Sequence, residues 1–137
     1  MIKPIMTARF FLSRPSEPAT ADDVAVARDL VDTLEAHRAT CVGMAANMIG
    51  ASKRVIAVID EDGSILAMLN PKIVDKGGPY ATEEGCLSLP GAREATRYER
   101  IVVTWQDTSL QTHRRTFADR VAQAIQHEVD HCDGVLI

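Results

Sequence analysis

At 137 residues, with 46% apolar and 25% charged side chains, the chain has the size and balance of one domain with a real core. Its net charge of −4 argues against nucleic-acid binding, which draws on a basic face, and no apolar run approaches the ~20 residues that span a bilayer. The opening Met1-Ile2-Lys3-Pro4-Ile5-Met6 has no long apolar segment and no small-residue cleavage site, so a signal peptide is not expected; three cysteines in such a chain point to free thiols in a reducing compartment, the cytoplasm.

Pro4, Pro15 and Pro18 break up the first stretch, and Phe10-Phe11-Leu12 is expected to anchor it to the core. Thr20 with Asp23 three residues on resembles a helix N-cap with an acidic first turn. Val24, Ala27, Leu30 and Leu34 then recur at helical spacing, which predicts an amphipathic helix over 21–37, solvated through Asp22, Arg28, Asp32 and Glu35. His37 falls near its C-terminus, where a cation is favoured. The next stretch, Cys41 to Gly50, is small and nearly uncharged; it reads either as a backbone that something approaches closely or as a tightly packed strand or loop. Residues 53–60 read as a strand, Glu61-Asp62-Gly63 as a turn, and 65–74 as one or two strands interrupted at Asn70-Pro71. Gly77-Gly78-Pro79 reads as a loop. Residues 100–107 and 112–117 are expected to pair across a turn, and Asp119 to cap a last helix striped by Val121, Ala124, Ile125, Glu128 and Cys132. A helix after a run of strands gives an α+β fold. The expected architecture is antiparallel or mixed sheet packed around the C-terminal helix, with an N-terminal amphipathic helix, in a single domain over 1–137.

The chemistry concentrates in Gln126-His127-Glu128-Val129-Asp130-His131. On a helix, His127 and His131 project from one face and two imidazoles can share one metal ion. Glu128, a step round the helix, can then reach a bound water as general base. The plain alternative is a polar helix end whose histidines touch nothing. A catalytic site of this kind wants a third ligand and one open position. Cys86, in Glu83-Glu84-Gly85-Cys86-Leu87-Ser88-Leu89-Pro90-Gly91, is the best candidate, because it sits between small and conformationally special residues; its alternative is a buried apolar thiol. Cys132 follows His131 directly and Cys41 lies in the apolar stretch, so both read as packing. Asp130 reads either as a residue that orients a histidine or as a solvated acid, and His113 as a solvated residue on an edge strand.

Glu84-Gly85-Cys86-Leu87-Ser88, about forty residues, then Gln126 to His131, preceded by Gly43-Met44-Ala45-Ala46-Asn47-Met48-Ile49-Gly50, resembles peptide deformylase in motif order and spacing. That family removes the formyl group from the initiator methionine of new polypeptides and releases formate. The resemblance implies that Cys86, His127 and His131 hold a divalent metal, Fe2+ in the cell and often Zn2+ or Ni2+ as isolated. It implies that Glu128 handles the proton and that the backbone N–H of Leu87 donates to the formyl oxygen. Backbone around Val42, Gly43 and Met44, with Gly85 and Leu87 to Leu89, would pair with an extended substrate, and Arg97 matches a basic position near the site. The implied partners are N-formylmethionyl peptides and, through nascent chains, the ribosome. Nucleic acid and membrane are not among them.

Two positions depart from the family pattern. The family usually has glycine where this chain has Cys41, and glutamine where it has Met48. That glutamine donates to the developing oxyanion, and loss of such a donor costs on the order of 10²–10³ in rate. The resemblance therefore implies a weakened enzyme; Asn47 is an alternative donor only if it faces the site, and the plain alternative is that Met48 packs in an apolar wall while another group fills the glutamine's role. Family members often carry a further C-terminal segment after the helix. The competing readings are a deformylase-like paralogue that binds N-terminal peptides without turnover, favoured by Met48, and a zinc endopeptidase. Retention of Glu128 opposes the first, and a cysteine ligand from an E-G-C-L-S turn opposes the second.

Overall fold

The computed structural model describes residues 1–137. After a short helical turn, α1 (Arg9–Leu12), Thr20 starts the first long element. Its Oγ1 accepts from the Asp22 N–H, and Asp23 returns a carboxylate oxygen to the Thr20 N–H at 2.8 Å, a reciprocal cap. A 3-10 turn (Ala21–Asp23) leads into α2 (Val24–Ala36), which ends at His37. Of the three residues expected to anchor the N-terminal stretch only Leu12 is fully buried; Phe10 is 82% exposed, because a four-residue helix has a single buried position here.

The strands are β1 (Gly43–Ala45), β2 (Val55–Ile59), β3 (Ile65–Cys86), β4 (Leu89–Gln106) and β5 (Thr112–Ala118), antiparallel throughout in the order β1-β2-β3-β4-β5. β2 reads as an unbroken apolar run because both of its faces are covered. Ile56 and Val58 join Ile101, Val103, Trp105 and Phe117 under the last helix, α3 (Asp119–Cys132). Val55 and Ala57 join Leu30, Leu34, Met44 and Leu69 under α2. The two helices thus sandwich one sheet, and the fold is α+β.

Two expectations from the sequence need correction. Gly77-Gly78-Pro79 is not a loop: β3 runs through it, with Gly77 opposite Arg100 and Pro79 opposite Tyr98, and β4 begins at Leu89 rather than at 100. Beyond the register shift between Leu69 and Lys72, β3 has a neighbour on one side only, so a proline costs no ladder bond there. The residue before α3 is Ala118, without a capping side chain, and Asp119 lies in the first turn at φ 55°. The other end of α3 is closed by Gly134 at φ 78°, whose N–H donates to the His131 carbonyl while Val135 N–H reaches Asp130. A Cβ on Gly134 would fall 2.5 Å from the Ser13 carbonyl oxygen, so this turn also docks the N-terminal stretch.

Candidate active site

β3 and β4 are joined by a two-residue turn, Leu87-Ser88, with Cys86 paired to Leu89. This hairpin tip presents the Cys86 thiol to α3. The Ser88 N–H donates to its sulfur at 3.4 Å, and the same sulfur lies 3.4 Å from His131 Nε2. One helical turn back, His127 turns its Nε2 to within 3.0 Å of His131 Nε2. The three ligating atoms lie within 4.8 Å of one another. Tetrahedral binding at about 2.0 Å to nitrogen and 2.3 Å to sulfur places ligand atoms roughly 3.3–3.7 Å apart. The two spacings at His131, 3.4 Å to the sulfur and 3.0 Å to His127, are within a few tenths of an ångström of that geometry, so the group suits a divalent cation, and its open side faces a cleft.

Glu84 fixes the ring of His127. In an extended strand residues two apart share a face, so Glu84 and Cys86 both turn toward α3. Glu84 accepts from His127 Nδ1 at 2.8 Å, which leaves Nε2 free to ligate. Arg97 on β4 donates to both oxygens of Glu84 at 2.6–3.0 Å and to Asp130 at 2.7 Å, and Gln123 donates to Glu84 at 2.9 Å. Burial works against a charge on Glu84, but the bonds from His127, Arg97 and Gln123 outweigh it and hold the carboxyl down at about 2. Burial likewise opposes charge on His127, yet Cys86 and Glu84 raise it to about 10; His131, buried and beside a charged His127, is pushed down to about 3. A proton and a cation thus compete for the same cradle.

Glu128 points from α3 into the cleft side of this group. It is buried, its Oε1 has no hydrogen-bond partner, and burial raises its carboxyl to about 7. A carboxyl poised there is suited to both taking and giving a proton. Its position explains Gly43: a Cβ on that residue would stand 3.0 Å from Glu128 Oε2 and 3.3 Å from Val58.

The cleft has a volume of about 640 Å³ and runs between the β1 edge, the hairpin tip and α3. Val42, Gly43, Met48, Gly85 and Leu87 line it together with Cys86, His127 and Glu128. Met44, Leu89 and Arg97 do not: Met44 and Leu89 are in the core, and the Arg97 guanidinium is enclosed by carboxylates behind the ligands. The Ile59 N–H donates to the Val42 carbonyl, so β-sheet alternation turns the main-chain groups of Met44 to β2 and those of Gly43 to the free edge. Cys132 packs in the core. Cys41 packs in part, but it also lines the cleft and donates its thiol to the Gly43 carbonyl at 2.8 Å.

Asn47 and Met48 occupy a 3-10 turn (Ala46–Ile49), not a strand. Met48 is buried against the cleft, and its sulfur accepts from the Ala45 N–H at 3.5 Å. The Asn47 amide is committed elsewhere, donating to the His131 carbonyl at 3.0 Å, so it holds the ligand helix and offers nothing to the cleft. His113 is exposed on β5, stacked on Trp105 and bonded to Asp107. Sequence reasoning did not single out Glu84, Gln123 or Arg120. The period of two from Cys86 was the available signal for Glu84. Gln123 and Arg120 are visible only once the last helix is placed against the hairpin.

The family model for polypeptide deformylase matches residues 3–137. A peptide deformylase of Clostridium beijerinckii is 48% identical over 137 residues, covering 100% of both chains. One from Chlorobaculum parvum is 34% identical over 140 residues, covering 97% of this chain and 72% of its own. The class I type b peptide deformylase of Acinetobacter baumannii superposes with a TM-score of 0.88 at 28% identity, covering 99% of this chain and 97% of that one. The Thermus thermophilus enzyme gives 0.86 at 31% identity, with 99% and 83% covered. A match along nearly the whole chain, and a relative alike from end to end, place the protein in the peptide deformylase family, metal-dependent hydrolases that remove the N-formyl group from formylated N-terminal peptides.

Proposed function

We propose that Cys86, His127 and His131 hold one divalent ion, Fe2+ in the cell, and that Glu128 is the proton carrier of formyl hydrolysis. The observation that carries this assignment is the convergence of three ligating atoms within 4.8 Å beside a buried, unpaired carboxylate oxygen. The thiolate–imidazole set suits iron, nickel and zinc alike, and a bound ion supplies a Lewis acid that lowers the pKa of water and polarises the formyl carbonyl. The formyl-methionyl peptide lies extended along the free edge of β1, against Gly43, with its formyl group at the hairpin tip. The Leu87 N–H donates to the carbonyl oxygen as water adds to the formyl carbon and Glu128 takes the water's proton. Glu128 then gives that proton to the nitrogen as the C–N bond breaks, and formate and a free amino terminus leave. The exposed apolar side chains of Val42 and Leu87 flank the methionine side chain. A solved A. baumannii enzyme carries Met-Ala-Ser, a peptide of the expected product type. The reading places the enzyme in the cytoplasm, working on nascent chains at the ribosome.

Formate release from a formyl-Met tripeptide by anaerobically purified, Fe2+-loaded protein tests the assignment. Glu128→Gln should lower the rate about 10²–10⁴-fold with metal content unchanged. Equal rates in parent and variant would remove Glu128 from the mechanism. A second reading, a peptide-binding relative with little turnover, is favoured by one observation: Met48 has no donor and Asn47 is spoken for. Tight binding of Met-Ala-Ser without formate release in the metal-loaded parent would select it.

A further inference from the structure

We infer that Arg120 makes the cleft select formylated peptides that carry a carboxylate side chain at the third residue. The inference rests on the substrate reading above. Arg120 stands in the first turn of α3 and shares a face with Gln123 and Ala124, three and four residues on; all three line the cleft. It is the only lysine or arginine that does so. Arg97 and Arg115 are tied to Glu84 and Asp60, whereas the exposed Arg120 has no carboxylate within ion-pair distance. The Gln123 amide, its neighbour on the same wall, is spent on Glu84. Arg120 is therefore a free cation facing the space the substrate crosses.

The position follows from two periodicities. From His127 back to Arg120 is seven residues, about 10 Å of helix axis. In an extended peptide the first and third side chains share a face and their Cα atoms are roughly 7 Å apart, while the second points the other way. With the formyl carbon at the ligands, the third residue comes level with Arg120 on the face that methionine also uses. Three acids also line the cleft: Glu84 is paired with Arg97, Glu128 lies at the ligands, and the one that opposes this preference is Glu83, exposed on the facing wall and set across from Glu94 on β4. If Glu83 governed the cleft, lysine rather than glutamate would be preferred.

The test compares formyl-Met-Ala-Glu and formyl-Met-Ala-Lys, both C-terminally amidated because a free carboxylate would itself meet Arg120. At low ionic strength the kcat/KM ratio of the first to the second should be ~3–10 in the parent, carried by KM, and should shrink with added salt. It should fall to about one in Arg120→Leu and invert in Arg120→Glu. A parent ratio at or below one, or a ratio unmoved in Arg120→Glu, overturns the inference. Turnover of formyl-Met-Ala-Ser amide separates this from the substrate reading. If that peptide is hydrolysed and the ratio is flat, only the selectivity fails. If nothing is hydrolysed, calorimetric titration of the two deformylated peptides into parent and Arg120→Glu protein reads the same charge preference directly.

Discussion

Behind His127, the side chains of Glu84, Arg97, Asp130 and Gln123 are locked together by charge-assisted bonds of 2.6–3.0 Å. In front of Glu128 the cleft wall offers Met48, Cys41 and a glycine, and Asn47, next to Met48 in the chain, turns to the helix that carries the histidines. Both walls touch the same group of candidate ligands, yet one is fixed by charge-assisted bonds and the other presents a methionine where the proposed mechanism would use a donor. On the proposed mechanism, ligand geometry is thus over-determined in this chain while stabilisation of the developing negative oxygen would fall to the Leu87 N–H and a bound ion. Ligand orientation and oxyanion binding are separate investments, and a family member can keep one and relax the other.

Taking away the rear wall should give the largest effect. Arg97→Met leaves the Glu84 carboxylate buried with its main partner gone, and such losses cost about 3–5 kcal/mol. A urea titration should show the midpoint drop accordingly. Pairing it with Glu84→Met should recover much of the stability but not the metal, because His127 then has nothing to hold its Nδ1–H. A single Arg97→Met variant as stable as the parent would mean that His127 and Gln123 alone satisfy Glu84.

Restoring the front wall should give the next largest. Met48 is buried at the cleft and replaceable by a side chain of similar length. Met48→Gln should raise kcat at least about tenfold, up to the 10²–10³ that one oxyanion donor is worth. The effect should sit in kcat rather than KM, since the bond strengthens as charge develops. An unchanged or lower kcat would show that another group already fills the role.

The contrast between the walls also explains what could be read without a structure. His127 and His131 stand out because a spacing of four is one helical turn, whereas Glu84, two residues before Cys86 and so on the same face of its strand, is not singled out by the sequence reading although that spacing was available. Met48 stands out only against a family pattern, since a buried methionine is ordinary in any core. Arg120 carries no signal at all, because an arginine in the first turn of a helix normally faces water. The length of β3 was hidden for a different reason. Gly77-Gly78-Pro79 breaks a strand that has neighbours on both sides, and nothing local tells that this half of β3 has one. Phe10, exposed beside a buried Leu12, shows the limit of reading three adjacent apolar residues as one anchor.

Far from both walls, Arg115 on β5 donates two bonds to Asp60 at the end of β2, at 2.7 and 2.9 Å, although β3 and β4 lie between those strands. A flat sheet would put them about 14 Å apart, three strand spacings, so the sheet must curl, and it curls toward α3, because Arg115 stacks on Phe117 and Phe117 belongs to the core beneath that helix. The pair therefore clamps the surface on which the ligand helix rests. The Arg115 bonds hold the Asp60 carboxyl below its ordinary value near 4. A carboxyl depressed in the folded state stabilises above its unfolded pKa, and that contribution disappears as pH falls through the folded value. Arg115 is 45% exposed, so screening limits the pair to under about 1 kcal/mol. Arg115→Gln should accordingly lower the melting temperature slightly at pH 7 in low salt, less in high salt, and not at all in acid strong enough to protonate Asp60 in the folded protein. A loss that persists undiminished in acid would assign the effect to the stacking on Phe117 instead, and the curl would then be held by packing rather than by charge.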